Sequence, residues 1–198
     1  MQLFLSYPVP VQTSYVNAPL VPGIGIQNDI ALIKIANPFT TWPSNIRPVC
    51  LPTNMASPLG FEKLTVAGWG VDEFDNLQDN LKYVSAICAI PIICEFPCFH
   101  QATVTTVPYG VCMAYFLNVQ VTYICASPDG YVRPNGGSSC NGDSGTAVVR
   151  SRGGFMQADG IVSYGGVLGC LNFELAFNGF THVWLFKNWI NFIILNWT

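Results

Sequence analysis

The Ser144 hydroxyl, in Gly142-Asp143-Ser144-Gly145 with Cys140 just before it, is the group best placed by its context to do chemistry. A serine hydroxyl is a poor nucleophile at neutral pH. It needs an adjacent base to take its proton and donors to hold the oxyanion that its attack creates. Glycine at 142 lets the backbone turn so that the amides of Gly142 and Ser144 can face one point. Bases are scarce, because the chain holds two histidines, His100 and His182. His100 lies in a cysteine-rich stretch with no neighbour that suggests a base. Ser144, Asp159 and His182 follow the chain order of the α/β-hydrolase triad, but that fold needs G-x-S-x-G on a strand–turn–helix. Here Thr146 takes the second glycine position, and alternating βα units are absent.

Two runs stand in order ahead of the serine loop: Asn28-Asp29-Ile30-Ala31-Leu32-Ile33-Lys34-Ile35 and Val66-Ala67-Gly68-Trp69-Gly70. With Cys140 and the Ser144 loop they resemble the trypsin/chymotrypsin-type serine proteases (peptidase S1), from about Asn28 to the C-terminus. The resemblance implies a serine endopeptidase with Asp29 and Ser144 as catalytic residues and the amides of Gly142 and Ser144 as oxyanion hole. Asp29 would hold a histidine in the right tautomer, and Ser163 would buttress Asp29. In that family the histidine precedes the aspartate. Only 28 residues precede Asp29, and none is histidine. The resemblance therefore implies an N-terminally truncated chain, inactive alone. Loss of one member of a comparable triad costs about 10⁶ in kcat, roughly 8 kcal/mol of barrier. The alternative is a non-catalytic homologue that binds a protein partner. A misassembled product with no stable fold is a third reading.

The same resemblance assigns further residues. Ser163, Tyr164 and Gly165 would pair with an extended substrate. Ser138 falls at the base of the specificity pocket and Asn178 on its wall, where it would narrow a pocket that prefers non-basic side chains, in a chymotrypsin- or elastase-like manner. Asp143 would pair with the N-terminal ammonium freed by activation cleavage. Without that amine it is expected to turn outward or take a proton, leaving a collapsed, zymogen-like loop. Cys140 would pair with Cys170 and Cys112 with Cys125. Cys50 would tie the chain to a propeptide or light chain. Leu64 and Arg150 stand where another family bridge would place its two cysteines. Cys88, Cys94 and Cys98 are left as one pair and one free thiol. Cys94, Cys98 and His100 match no common zinc spacing, and neither metal nor cofactor is expected. His182 would lie on the barrel surface.

The elements that must position these groups are short. Charged residues make up 10% of the chain and hydrophobic ones 51%, with 18 glycines and 14 prolines, a profile of an all-β protein rich in turns. Strands are expected at Leu64–Gly68, Leu81–Ile90, Gly145–Val149, Phe155–Ser163 and Phe180–Phe186, besides the apolar run 28–35. Residues 1–27 are poorly patterned, and carry four prolines. Trp189, Ile190, Ile193, Ile194 and Trp197 fall at helical spacing and predict a closing helix with one apolar face.

Where the family has two antiparallel six-stranded barrels, the chain should carry the complete second barrel and a remnant of the first. The expected division is 1–44 for the remnant that carries Asp29, 45–60 for a connector, 61–185 for the second barrel and 186–198 for the helix. On this reading residues 1–27 are an aberrant join, or the missing strands come from elsewhere.

The formal charge of −3 has no like-charge block, so neither nucleic acid nor a membrane surface is expected as partner. No uninterrupted apolar run is long enough to span a bilayer. Eight cysteines point to an oxidising, extracellular setting, although no signal peptide is legible. Asn196-Trp197-Thr198 is a glycosylation sequon at the extreme end. The expected partner is a protein or peptide substrate.

Overall fold

The computed structural model describes residues 11–16, 20–21, 25–26, 28–35, 42, 46–54, 63–71, 101–108, 110, 123–128, 139–165 and 178–196. Among the described residues, ten strands run in chain order: β1 (Val11–Val16), β2 (Leu20–Val21), β3 (Gly25–Ile26), β4 (Ala31–Ile35), β5 (Lys63–Ala67), β6 (Gln101–Thr106), β7 (Tyr123–Pro128), β8 (Ala147–Arg152), β9 (Phe155–Gly165) and β10 (Asn178–His182). A 3₁₀ turn, Val183–Phe186, leads into the helix α1 (Lys187–Leu195).

Six strands close an antiparallel barrel in the order β10-β7-β6-β5-β8-β9. Period-two alternation builds it: in β5, Leu64 and Val66 are buried while Lys63 faces solvent. Leu64, Val66, Val104, Ile124, Ala126, Val148, Val162 and Phe180 fill one core. A hairpin joins β8 to β9 through Gly153 and Gly154, at φ +56° and +86°. Two positive φ values in a two-residue loop match the twist of the flanking strands, and glycine meets them without strain.

β1 pairs with β4 in a separate two-stranded sheet. A second core joins β4 to the barrel: Ile30 and Leu32 pack with Ile161, Val183, Phe186 and Ile190, flanked by Leu51, Trp189 and Ile193. This apolar contact places Asp29, at the entrance to β4, beside β9. The connector is also docked, since Cys50 exchanges backbone hydrogen bonds with β9 through Met156 O (3.0 Å) and Ala158 N (2.9 Å).

Several expectations change. The unpatterned N-terminal stretch contains β1, whose Val-Gln-Thr-Ser-Tyr-Val run has the β-branched enrichment that marks strands. β6 and β7 were not anticipated. The strand expected through Phe186 ends at His182, and the chain tightens into the 3₁₀ turn. The apolar face of α1 runs through Ile190, Trp189 and Ile193, while Ile194 and Phe192 face solvent. The strand expected at 81–90 and the cysteines within 88–98 lie outside the described residues.

Candidate active site

Asp29 sits in a turn, not in the strand. Asn28 takes φ +52°, a left-handed value that asparagine tolerates better than most residues. The Ile30 amide donates to Asn28 O at 2.7 Å, making Asp29 the centre of a three-residue turn. Ser163 Oγ donates to Asp29 Oδ2 at 2.7 Å, and Thr181 Oγ1 donates to the Asp29 carbonyl at 2.8 Å. The carboxylate is thus oriented from β9 and its backbone from β10. Oδ1 makes no hydrogen bond among the described residues.

The serine loop is two successive turns that share Asp143. Asp143 N donates to Cys140 O and Thr146 N donates to Asp143 O, each at 3.0 Å. The third residue of each turn is a glycine at positive φ, Gly142 at +94° and Gly145 at +84°, as type II turns require. Ser144 is the second residue of the second turn and is exposed. Gly145 N donates to Val162 O at 2.8 Å and Val162 N donates to Thr146 O at 2.9 Å. Val162 therefore pins the serine loop, and its neighbour Ser163 pins Asp29. Within 140–146 the amides of Asn141, Gly142 and Ser144 make no hydrogen bond among the described residues.

Asp143 does not turn outward as its unpaired charge led us to expect. Its Oδ1 accepts from Gly70 N at 2.8 Å and its Oδ2 from Cys140 N at 2.9 Å, two charge-assisted bonds that offset desolvation. The socket exists because Gly68 and Gly70 lack side chains. A Cβ on Gly68 would land on the Asp143 carboxylate, and one on Gly70 would come within 2.6 Å of its Cγ. The two glycines of Gly68-Trp69-Gly70 thus have a steric explanation.

Of the pocket residues, Ser138 lies outside the described residues. Its neighbour Ser139 is buried and donates from Oγ to Asn178 Oδ1 at 2.7 Å, with Asn178 itself fully buried. Gly165 pairs with Asn178 across β9 and β10. Tyr164 packs edge-on to Tyr123, with ring centroids 5.1 Å apart. The Tyr123 side chain is buried. Its pKa is raised from 10.0, chiefly by burial and also by the Asp29 carboxylate. Sequence reading missed Tyr123, which lies far along the chain from every motif.

His182 is not on the barrel surface. It is 6% exposed, and neither ring nitrogen has a hydrogen-bond partner among the described residues. Nearby, Asp159 bonds Arg150 Nε at 2.6 Å and accepts from Gln157 Nε2 at 2.6 Å. Burial is the main cause that lowers the His182 pKa below 6.5, the Arg150 charge adds to it, and Asp159 opposes it. Asp159 is thus committed to Arg150 and Gln157, which leaves it unsuited to orient a catalytic histidine. Cys125 and Cys140 are disulfide-bonded and Cys50 is a free, exposed thiol. The expected partners Cys112 and Cys170 lie outside the described residues.

The trypsin family model matches residues 7–95 and 96–190. The chain belongs to the trypsin family of serine proteases. The match begins at residue 7 and so takes in most of residues 1–27. Among characterised trypsin-family relatives, the chain is 28% identical over 183 residues to Limulus clotting factor C of Carcinoscorpius rotundicauda, covering 89% of this chain and 16% of that protein. The clotting factor C of Tachypleus tridentatus matches with the same identity and coverage. Chymotrypsin-C of Rattus norvegicus is 30% identical over 168 residues, 83% of this chain and 54% of that protein. The chain thus spans about half of one relative and a sixth of the other two.

Proposed function

We propose that this chain is the nucleophile-bearing part of a secreted serine endopeptidase, with Ser144 as nucleophile and Asp29 as the carboxylate that orients a histidine supplied from outside this chain. The carrying observation is the 2.7 Å bond from Ser163 to Asp29, one residue along β9 from the backbone that pins the serine loop. That bond occupies Oδ2 and leaves Oδ1 for an imidazole N–H. The Gly142 and Ser144 amides, unused by the turns, suit an oxyanion hole. Attack by Ser144 on a peptide carbonyl, with a base taking its proton, would give a tetrahedral oxyanion. Its collapse would break the C–N bond, and the base would return the proton to the leaving amine. Water would then hydrolyse the acyl-enzyme to the free acid and Ser144.

Neither histidine of this chain suits that base: His100 follows Asp29 in the chain and lies in a cysteine-rich stretch, and His182 is buried beside Arg150. Alone, the chain should be inactive. Asp143, held by two amides, retains lone pairs for an activating ammonium. The Asn178–Ser139 bond supports a narrow pocket for uncharged side chains, because a basic group would find no counter-charge there. Substrate would pair along Ser163–Gly165, where β9 runs on beyond its ladder with β8. The disulfide-bonded Cys125 and Cys140 support export, with Cys112 and Cys170 as partners. Cys50 would join a propeptide or light chain.

Fluorophosphonate labelling tests the reading. The chain alone should label negligibly. High imidazole should restore slow labelling of Ser144, abolished in Ser144→Ala and weakened in Asp29→Asn. Strong labelling without imidazole would refute inactivity. No labelling under rescue would favour the non-catalytic, protein-binding homologue.

A further inference from the structure

We propose that Asn196 carries an N-linked oligosaccharide and that this glycan covers the exposed apolar last turn of α1. The proposal rests on the export part of the reading above and not on its catalysis.

Asn196 opens Asn196-Trp197-Thr198, and no other asparagine of the chain is followed by a residue other than proline and then by Ser or Thr. Asn188 and Asn191, on the same helix, have isoleucine two residues on. Asn196 is the residue that ends α1, with φ −105° and ψ 17°, and it is exposed. Its backbone amide donates to Phe192 O at 3.1 Å, and its side-chain Nδ2 donates to the same carbonyl at 2.7 Å. A carbonyl oxygen has two lone pairs and can take both. Nδ2 carries two protons. One closes the helix, and the other is the one a sugar would replace. The acceptor lies just past Leu195, the last helical residue, where opening the chain for a transferring enzyme disturbs little else.

The transfer involves no oxidation or reduction. Nδ2 forms a bond to C1 of the first sugar of a lipid-linked oligosaccharide pyrophosphate. The C1–O bond to the pyrophosphate breaks, the lipid pyrophosphate leaves, and a base of the transferring enzyme takes the amide proton.

The surroundings of Asn196 say what the glycan would do. Ile190 of α1 is buried in the second core, with Trp189 and Ile193 partly covered. Phe192 and Leu195 are 62% and 84% exposed. Single exposed apolar side chains are ordinary. These two stand three residues apart, and Asn196 stands four after Phe192, so one face of the last turn brings them together. The bond from Nδ2 to Phe192 O folds the Asn196 side chain back over that turn. A sugar attached there lies against Phe192 and Leu195. The C–H face of a pyranose is apolar and suits them, while its hydroxyls face water. Covalent attachment keeps the sugar at high local concentration over the patch, so weak contacts suffice.

The full chain, sent into the endoplasmic reticulum behind an exogenous signal peptide, tests this. Lumenal chain should lose the mass of one glycan on treatment with peptide-N-glycosidase, and mass spectrometry should place it on Asn196. Thr198→Ala, which keeps Asn196 and its bond to Phe192, should abolish the shift, and Thr198→Ser should retain it. The glycosylated chain should bind less of the apolar dye anilinonaphthalene sulfonate than Thr198→Ala does. Adding Phe192→Ser and Leu195→Ser to that variant should remove the difference. Lumenal chain with a bare Asn196 would overturn the proposal and leave the apolar turn to a protein neighbour. Equal dye binding with and without the glycan would overturn the cover. Chain retained by misfolding gives the same mass reading, because the lumenal fraction is analysed whether or not it is secreted. Failure of the export reading is a separate outcome, since it would show as chain kept in the cytosol when no signal peptide is added.

Discussion

Asp143 is half-buried and Asp159 fully buried, and they are held in opposite ways. Asp143 accepts two backbone amides in a socket lined by glycines. Asp159 is nearly inaccessible and spends its charge on Arg150, with Gln157 as second donor. Neutral donors orient a carboxylate and leave its negative charge uncompensated by any fixed cation, so a mobile cation can still be recruited. A guanidinium neutralises the charge and turns the carboxylate into structure. Asp29, held by a hydroxyl, belongs with Asp143. The contrast separates carboxylates available to a mechanism from one that is not.

The largest effect should come from Asp159→Ala. It removes the carboxylate paired with the buried Arg150 and should cost about 3–5 kcal/mol in urea unfolding. Replacing both partners by apolar residues of similar volume should cost far less. A small effect of the single substitution would remove the distinction drawn between the two aspartates.

Next is Gly68→Ala, whose Cβ would enter the Asp143 carboxylate and should cost about 1–3 kcal/mol. Combined with Asp143→Ala the penalty should shrink, giving a double-mutant coupling above the ~0.5 kcal/mol scatter of independent sites. Strict additivity would mean that the glycines do not form the socket.

The smallest effect concerns pH. The His182 pKa is lowered in the fold, so the unfolded chain binds the proton first as pH falls below about 6.5. Stability from this group is present above that pH and is lost on acidification towards the folded pKa. The slope is at most about 1.4 kcal/mol per pH unit. His182→Phe should flatten that limb of the stability curve, and an unchanged slope would show that the buried imidazole is not its source.

The legible parts of this molecule are those with local causes. Alternating Leu64 and Val66 announce a strand, and the paired glycines around Ser144 announce turns that need positive φ. Trp189, Ile190 and Ile193 announce an amphipathic helix. β1 was missed because its side chains alternate without strong apolar contrast, and its partner β4 lies beyond an intervening hairpin. His182 was misplaced because a lone histidine in an apolar run reads as a polar surface position. Asp29 was read into a strand, since nothing in Asn28-Asp29-Ile30 reveals that Asn28 would turn left-handed.

Composition and motif order sufficed for the all-β class and the trypsin family, because backbone preferences and motif residues belong to individual positions. Burial and partnership were settled only by the closed barrel. The Ser163–Asp29 bond spans 134 residues of sequence and the Gly70–Asp143 bond 73. Such contacts depend on strand register and on the apolar packing of β4 against β9, and chain-local chemistry carries no information about either.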